Sequence, residues 1–190
     1  IIYIVADYDE KKFQNHIGGE SIVEQHQRNN LVRGIESAHD NDLIILSDSD
    51  EIPDLKKINQ IKSQTKFTAF SQKMFMYKLN LQNLDESDWI GSKICLKKNF
   101  PIPQKLRDLK FKNYPFWRLD KFHLQTIKGG WHFSFLQTPA EISKKIKSYS
   151  HGEFNTIENV NQDLIKEKIR KNKDIFGKEF KLKKIKIDET

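Results

Sequence analysis

The stretch LIILSDSDEIP, residues 43–53, decides how the rest of the chain is interpreted. Its first four residues are aliphatic, which is typical of a strand buried on both faces. A single serine separates them from Asp48, Asp50 and Glu51, and Pro53 ends the segment. Carboxylates crowded in this way repel one another and raise their own pKa values. A divalent cation would remove that cost, because Mg²⁺ and Mn²⁺ favour oxygen ligands.

A second interpretation of this acidic cluster is structural. Asp48 or Asp50 would cap a helix that begins after Pro53, and the remaining carboxylates would face water. A D-x-D pattern alone is common by chance. Its position directly after a buried strand favours a binding site, because ligands of open α/β sheets bind at the carboxyl ends of the strands.

The composition indicates a folded domain. The chain has 190 residues, and its 13 Phe and 3 Trp supply large surfaces to bury. The net charge is +7, but the lysines are scattered among acidic residues, which favours a solvated surface over a nucleic-acid groove. The single cysteine, Cys95, excludes an intramolecular disulfide and a thiolate metal cluster. No stretch reaches the roughly 20 apolar residues that span a bilayer.

The order of the first elements favours a parallel sheet. Residues 1–5, IIYIV, are predicted to be a buried strand. Ser21 and Glu24 form an S-x-x-E capping box that begins a helix, and residues 43–46 are the next strand. A strand, a helix and a strand in succession make a βαβ unit. We therefore expect an α/β fold with a mostly parallel central sheet.

The later part of the chain is predicted to add strands and helices to one domain. A short helix follows Pro53, Thr138 and Glu141 form a second capping box, and a further helix begins near residue 157 and ends near 170. Strands are predicted at residues 66–71, 73–79, 92–98 and on both sides of a Gly-Gly turn within 121–136. We expect a single domain over residues 1–176 and a flexible basic tail over residues 177–190.

The segment SDSDEIP, residues 47–53, resembles the signature of glycosyltransferase family 17, the group that contains β-1,4-mannosyl-glycoprotein β-1,4-N-acetylglucosaminyltransferase. Similar stretches follow the family order along nearly the whole chain: QRNNLVRGI (27–35), YKLNL (77–81), WIGSKI (89–94), GGWHFSFL (129–136) and SYSHGEFN (148–155). SDSDEIP together with GGWHFSF is a specific pair. The resemblance implies a GT-A-like nucleotide-sugar-binding fold, and we expect its first strand to be missing here.

The resemblance also implies a reaction and its partners. The chain would transfer N-acetylglucosamine from UDP-N-acetylglucosamine to a glycan acceptor, with inversion and with Mn²⁺ or Mg²⁺ as cofactor. Nucleic acid would not be a partner, and any membrane association would come through a missing N-terminal segment. A eukaryotic homologue with such an anchor would work in the Golgi lumen, and a bacterial one in the cytoplasm or at the membrane periphery.

The metal site is expected at the acidic cluster. Asp48 and Asp50 would hold the cation, and Asp48 would also contact the donor. By analogy with GT-A enzymes, His151 or His132 would supply a third protein ligand, with His151 slightly favoured because Ser150 and a glycine leave it sterically open.

The base must accept the proton of the acceptor hydroxyl as the new bond forms. Glu153 is the first candidate, since it lies two residues from His151 and metal and base could share one loop. Asp88 and Glu51 are the other candidates.

The remaining site residues would hold the donor. Arg28 or Lys128 would contact its phosphates, although Arg28 could equally pair with a nearby acid. Trp131 offers a flat face to a sugar or to uracil, and Gly129 and Gly130 let backbone approach the donor closely.

Two other functions use the same features. A phosphoryl-transfer enzyme or nuclease would bind Mg²⁺ at the acidic cluster. A non-catalytic carbohydrate- or nucleic-acid-binding module would not need the metal, so a titration with Mn²⁺ and UDP separates it from the enzymes.

Overall fold

A computed structural model describes residues 1–7, 22–112, 117–118, 121, 123–148 and 154–186. These residues form a mixed α/β fold in which short helices pack against a seven-stranded sheet. In chain order the strands are β1 (Leu43–Leu46), β2 (Glu51–Ile52), β3 (Phe67–Met76), β4 (Leu81–Asn83), β5 (Trp89–Leu96), β6 (Leu124–Ser134) and β7 (Leu182–Lys184).

The helices in the described residues are short, and none is long and apolar enough to cross a membrane. The α-helices are α1 (Ile22–Asn30), α2 (Pro103–Asp108), α3 (Pro139–Lys147), α4 (Ile157–Val160) and α5 (Gln162–Arg170). Turns of 3₁₀ helix cover Leu31–Ile35, Leu55–Gln60 and Lys97–Asn99.

The second capping box is confirmed, and the last predicted helix is divided in two. Thr138 Oγ1 accepts from the Glu141 amide, and the Glu141 carboxylate accepts from the Thr138 amide at 2.9 Å, which fixes the start of α3. Asn161 separates α4 from α5, because its side chain caps α5 by accepting from the amides of Asp163 and Leu164. Ser21, of the first predicted capping box, lies outside the described residues.

The sheet is mostly antiparallel, so the prediction of a mostly parallel sheet is wrong. β1 pairs antiparallel with β5, β5 with β3, and β3 with β4. Among the strand pairs of the described ranges, β3–β6 alone is parallel. The physical reason is the connections, because the link between β3 and β4, residues 77–80, suits antiparallel neighbours and is too short for a helical crossover.

The first residues do not form the predicted buried strand. The apolar side chains at positions 1, 2, 3 and 5 are exposed, and residues 1–7 pair with no strand of the described chain. The Val5 carbonyl accepts from Arg33 Nη1 at 2.9 Å, and the Asp7 carbonyl lies 2.8 Å from His26 Nε2. This segment therefore lies against α1 and the turn that follows it, and the predicted βαβ unit is wrong.

Gly129 and Gly130 form a bulge, not the predicted turn between two strands. β6 runs through them without a break, and the two glycines stand opposite one residue of β3, Gln72. Gly130 has φ +103°, and a Cβ at this position would lie 2.3 Å from the Ile52 carbonyl oxygen and 2.9 Å from Pro53 Cα. Glycine is required here because only its bare backbone fits both the dihedral angle and the contact.

The C-terminal part of the chain closes the main core. Ile142 and Ile146 of α3 and Ile165 of α5 are fully buried against the end of β3. β7, which lies in the tail predicted to be flexible, pairs antiparallel with β4. Residues 182–184 therefore belong to the sheet.

Replacing Gly130 with alanine should destabilise the fold strongly. The dihedral strain costs about 1–3 kcal/mol, and the contact with the Ile52 carbonyl adds roughly another 1–3 kcal/mol because the backbone there cannot yield cheaply. Urea unfolding followed by circular dichroism measures the change. Gly177→Ala is the matched control, since Gly177 has φ +83° with nothing within 4 Å of the added Cβ. Equal losses in the two variants would contradict the close approach of β6 to the segment after β2.

Candidate active site

The acidic residues lie in a tight turn between β1 and β2. The Glu51 amide donates to the Asp48 carbonyl at 3.0 Å, and Ser47 Oγ donates to the Glu51 carbonyl at 2.8 Å. β2 then pairs with β6, with Glu51 opposite His132. This pairing brings the end of the SDSDE segment beside the GGWHF segment, two stretches far apart in the sequence.

Glu51 is the buried anchor of this turn. Its side chain is fully buried, and its carboxylate accepts from Arg107 Nη1 and Nη2 at 3.2 and 3.0 Å, from Trp89 Nε1 at 3.0 Å and from the Asp48 amide at 3.3 Å. A carboxylate held by so many donors is poorly placed to accept a substrate proton. These contacts favour a positioning role for Glu51 over the role of base.

Asp48 shares the Arg107 guanidinium with Glu51, since both carboxylates contact Nη2. Its Oδ2 lies 2.8 Å from Arg107 Nη2. Burial raises the pKa of Asp48, and Arg107 opposes that rise. Arg28 lies deeper, 3.9 Å from Asp48 Oδ1, and binds Glu24 and Gln104, each at 2.5 Å. The buried Arg28 is therefore part of the protein network that supports Asp48.

Asp50 has different neighbours. Its Oδ1 lies 3.9 Å from His132 Nδ1, and its Oδ2 lies 3.7 Å from Lys145 Nζ. Burial lowers the pKa of His132, although the carboxylates of Asp50 and Glu51 oppose the shift. A neutral imidazole at 3.9 Å makes neither an ion pair nor a hydrogen bond with Asp50.

The Nδ1 atom of His132 is buried and has no hydrogen-bond partner among the residues that the structure describes. The ring itself is held by Trp89, which stacks on it with the ring centroids 4.6 Å apart and the planes 16° from parallel. A buried polar atom without a partner is rare in proteins and points to a missing ligand or a functional role.

Asp48, Asp50 and His132 line one pocket of about 450 Å³, which we call the acidic pocket. Much of its remaining wall is aromatic and comes from Trp89, Phe135, Phe154, Phe176 and Phe180. Most of the rest of the wall is charged or polar, and includes Glu24, Glu86, Lys145, Asp174 and Lys178. Aromatic faces beside charged groups suit a polar organic ligand.

The other predicted donor residues lie on the opposite face of the sheet. Trp131 precedes His132 in β6, so the two side chains point to opposite faces. Trp131, Gly129, Gly130 and Asp88 line a separate pocket of about 420 Å³, which also contains three lysines and which we call the lysine pocket.

Within the lysine pocket, Asp88 already has partners. Its Oδ1 accepts from Ser71 Oγ at 3.0 Å and lies 3.3 Å from Lys128 Nζ. The structure therefore does not bring Asp88 or Lys128 together with Asp48 and Asp50.

His151 and Glu153 lie outside the described residues. Among the residues that are described, no group of three His, Cys, Asp or Glu side chains could hold a metal ion. Asp50 and His132 are the pair that fits a cation best, because one supplies a carboxylate and the other an unpartnered nitrogen. The helix after Pro53 is capped by Asp54, which accepts from the Lys56 amide, so the capping interpretation of Asp48 and Asp50 is wrong.

Arg107 and Lys145 contact the acidic residues, and neither was predicted from the sequence as a site residue. Arg107 comes from α2, in a segment with no regular pattern, and its partner Glu51 is 56 residues away, so no local signal identifies the pair. The sequence holds a weak indication for Lys145, because it lies in a predicted helix and precedes Ile146, a buried residue of that helix.

Replacing Arg107 with methionine should destabilise the protein by about 3–5 kcal/mol, because Glu51 would remain buried without its cation. Thermal and urea unfolding measure the loss. Arg170→Met, at the exposed end of α5, should stay within about 0.5 kcal/mol of the parent. Adding Glu51→Gln to Arg107→Met should recover part of the stability, and a purely additive double variant would contradict the coupling.

Comparison with known proteins identifies the family to which the chain belongs. The sequence model of glycosyltransferase family 17 matches residues 2–183, which include both faces of the sheet and every strand except the last residue of β7. No curated protein and no solved structure matches the chain. The match covers almost the whole sequence, and it includes the SDSDEIP turn, its buried Glu51 anchor and the acidic pocket. The chain belongs to glycosyltransferase family 17.

Proposed function

We propose that this protein transfers N-acetylglucosamine from UDP-N-acetylglucosamine to a hydroxyl of a glycan acceptor, in a metal-dependent reaction that inverts the anomeric carbon. The family supports a glycosyltransferase with a nucleotide-sugar donor and a glycan acceptor. The observation that supports a location for this reaction is the acidic pocket, where Asp50 lies beside the Nδ1 atom of His132, which has no partner among the described residues.

The residues of the acidic pocket suit a divalent cation. Asp50 offers a carboxylate that no arginine occupies in the described structure, and His132 offers a neutral nitrogen. We assign the cation to these two residues and, as a further ligand, to His151. When bound, Mn²⁺ or Mg²⁺ would neutralise charge on the leaving diphosphate. Asp48, held by Arg107, would contact the donor beside it.

Glu153 is the base that we favour. Phe154, the next residue in the chain, lines the acidic pocket, whereas Asp88 lies on the opposite face and Glu51 is held by donors. The base would take the proton of the acceptor hydroxyl as its oxygen attacks the anomeric carbon and the bond to the diphosphate breaks. An α-linked donor would then give a β-linked product.

The donor base or sugar would pack on the aromatic wall of the acidic pocket, to which Trp89 contributes. Trp131, Gly129 and Gly130 then line a second surface on the opposite face, with polar groups that suit sugar hydroxyls. Because the sheet separates this surface from the acidic pocket, we assign it to a distant part of an extended glycan acceptor that reaches around the sheet.

Asp50→Asn should weaken UDP binding in the presence of Mn²⁺ roughly 10- to 100-fold, because the amide removes one charged ligand. Isothermal titration with UDP, with and without Mn²⁺, measures the loss. The parent should bind UDP more tightly with the metal, and the variant should lose most of that difference.

Asp163→Asn is the control for this test, since Asp163 is exposed at the start of α5. It should bind UDP and Mn²⁺ as the parent does. Metal-dependent UDP binding by Asp50→Asn as tight as that of the parent would remove Asp50 from the site.

Glu153→Gln should lower the rate of transfer roughly 10²–10⁴-fold and leave the affinity for UDP and Mn²⁺ nearly unchanged, because the amide keeps the shape but cannot accept a proton. Glu158→Gln, on the exposed surface of α4, should retain the parent rate. NMR of the product should show a β linkage. An α-linked product would exclude single displacement, and a fully active Glu153→Gln would exclude Glu153 as the base.

A further inference from the structure

The leaving diphosphate needs a cation from the protein, and neither basic residue suggested by the sequence is well placed. Arg28 is buried and bound to Glu24 and Gln104. Lys128 lines the lysine pocket on the opposite face of the sheet and pairs with Asp88. The basic side chain beside Asp50 in the described structure is Lys145.

The helix that carries Lys145 is firmly fixed. Ile142 and Ile146 of α3 are fully buried, and Ser143 Oγ donates to the Val160 carbonyl at 2.6 Å. The capping box fixes the first turn of the same helix. Little conformational freedom therefore remains for the backbone at position 145.

The side chain of Lys145 is directed across an aromatic ring toward the acidic turn. Its Nζ lies 5.4 Å from the centre of the Phe135 ring and 3.7 Å from Asp50 Oδ2. Phe135 itself has φ +56°, a conformation that costs a residue other than glycine free energy and is common at functional sites. The side chain of Lys145 is 35% exposed, so part of it remains open to a ligand.

Lys145 also stands between two cavities. Together with Asp50 and Phe135 it lines both the acidic pocket and an adjoining pocket of about 380 Å³ that contains Ser49 and Gln137. The side chain of Lys145 is therefore part of the wall of both cavities, so its ammonium group is within reach of an anion bound in either one.

A diphosphate bound near Asp50 would need a positively charged side chain beside it. A diphosphate is an anion, and the carboxylates of Asp48 and Asp50 would repel it at short range. Arg107 is already shared between Asp48 and Glu51. Lys145 Nζ is a flexible point charge that can rotate from Asp50 to a phosphate oxygen without a change in the backbone.

We propose that Lys145 binds the diphosphate of the nucleotide-sugar donor and, before the donor arrives, pairs with the Asp50 carboxylate. This inference rests on the proposed function, because it requires a nucleoside diphosphate in the acidic pocket. It assigns phosphate recognition to α3.

Lys145→Gln tests the inference by titration with UDP and with uridine in the presence of Mn²⁺. The variant should bind UDP roughly 10- to 100-fold more weakly than the parent, because a charge-assisted contact is lost, while its affinity for uridine stays unchanged. Lys145→Arg should retain most of the UDP affinity, since it keeps the charge. Melting temperatures of all variants, measured alongside, confirm that each one is folded.

Lys147→Gln is the matched control, because Lys147 lies on the same helix but is exposed. It should bind UDP as the parent does. Equal UDP affinity of Lys145→Gln and Lys147→Gln, with metal-dependent binding intact in the parent, would overturn the role of Lys145 alone. A parent that does not bind UDP with Mn²⁺ would overturn the proposed function and this inference with it.

Discussion

The buried carboxylate of Glu51 is the interaction on which the site depends. It joins the β1–β2 turn to α2 through Arg107 and to β5 through Trp89. A buried charge is costly unless it is matched, so the turn, the helix and the strand must keep their relative positions for the fold to be stable. Because Trp89 stacks on His132, the same anchor also fixes the imidazole beside Asp50.

The Gly129–Gly130 bulge decides which side chains meet at that anchor. Side chains alternate between the two faces of a strand, so one extra residue in β6 moves every later side chain to the other face. The bulge places His132 in the acidic pocket and Trp131 in the lysine pocket. The two glycines thus contribute to the site by setting the register of β6 against β3.

Local signals in the sequence predicted local structure well. The β1 strand, the capping box of α3 and the acidic turn at the end of β1 all depend on neighbouring residues, and the structure contains each of them. The predicted burial of β1 on both faces is wrong, however, because Leu43 is exposed and Leu46 is the one buried residue of the strand. The direction of the strands and the partners of Glu51 depend on contacts between distant segments, which periodicity does not encode. The predicted turn at Gly129 failed for a related reason, since two glycines are equally suited to a turn and to a bulge.

The two aspartates of the SDSD segment differ in how far neighbouring groups balance their charge. Asp48 shares a guanidinium with Glu51, so much of its charge is balanced within the fold. Asp50 lies near a neutral imidazole and a partly exposed lysine, at distances beyond a hydrogen bond. A cation would therefore gain more at Asp50 than at Asp48, because less of the Asp50 charge is compensated beforehand. Alternate carboxylates in one short turn thus have different surroundings, because Asp48 is paired with an arginine of the fold and Asp50 keeps most of its charge available to a cation.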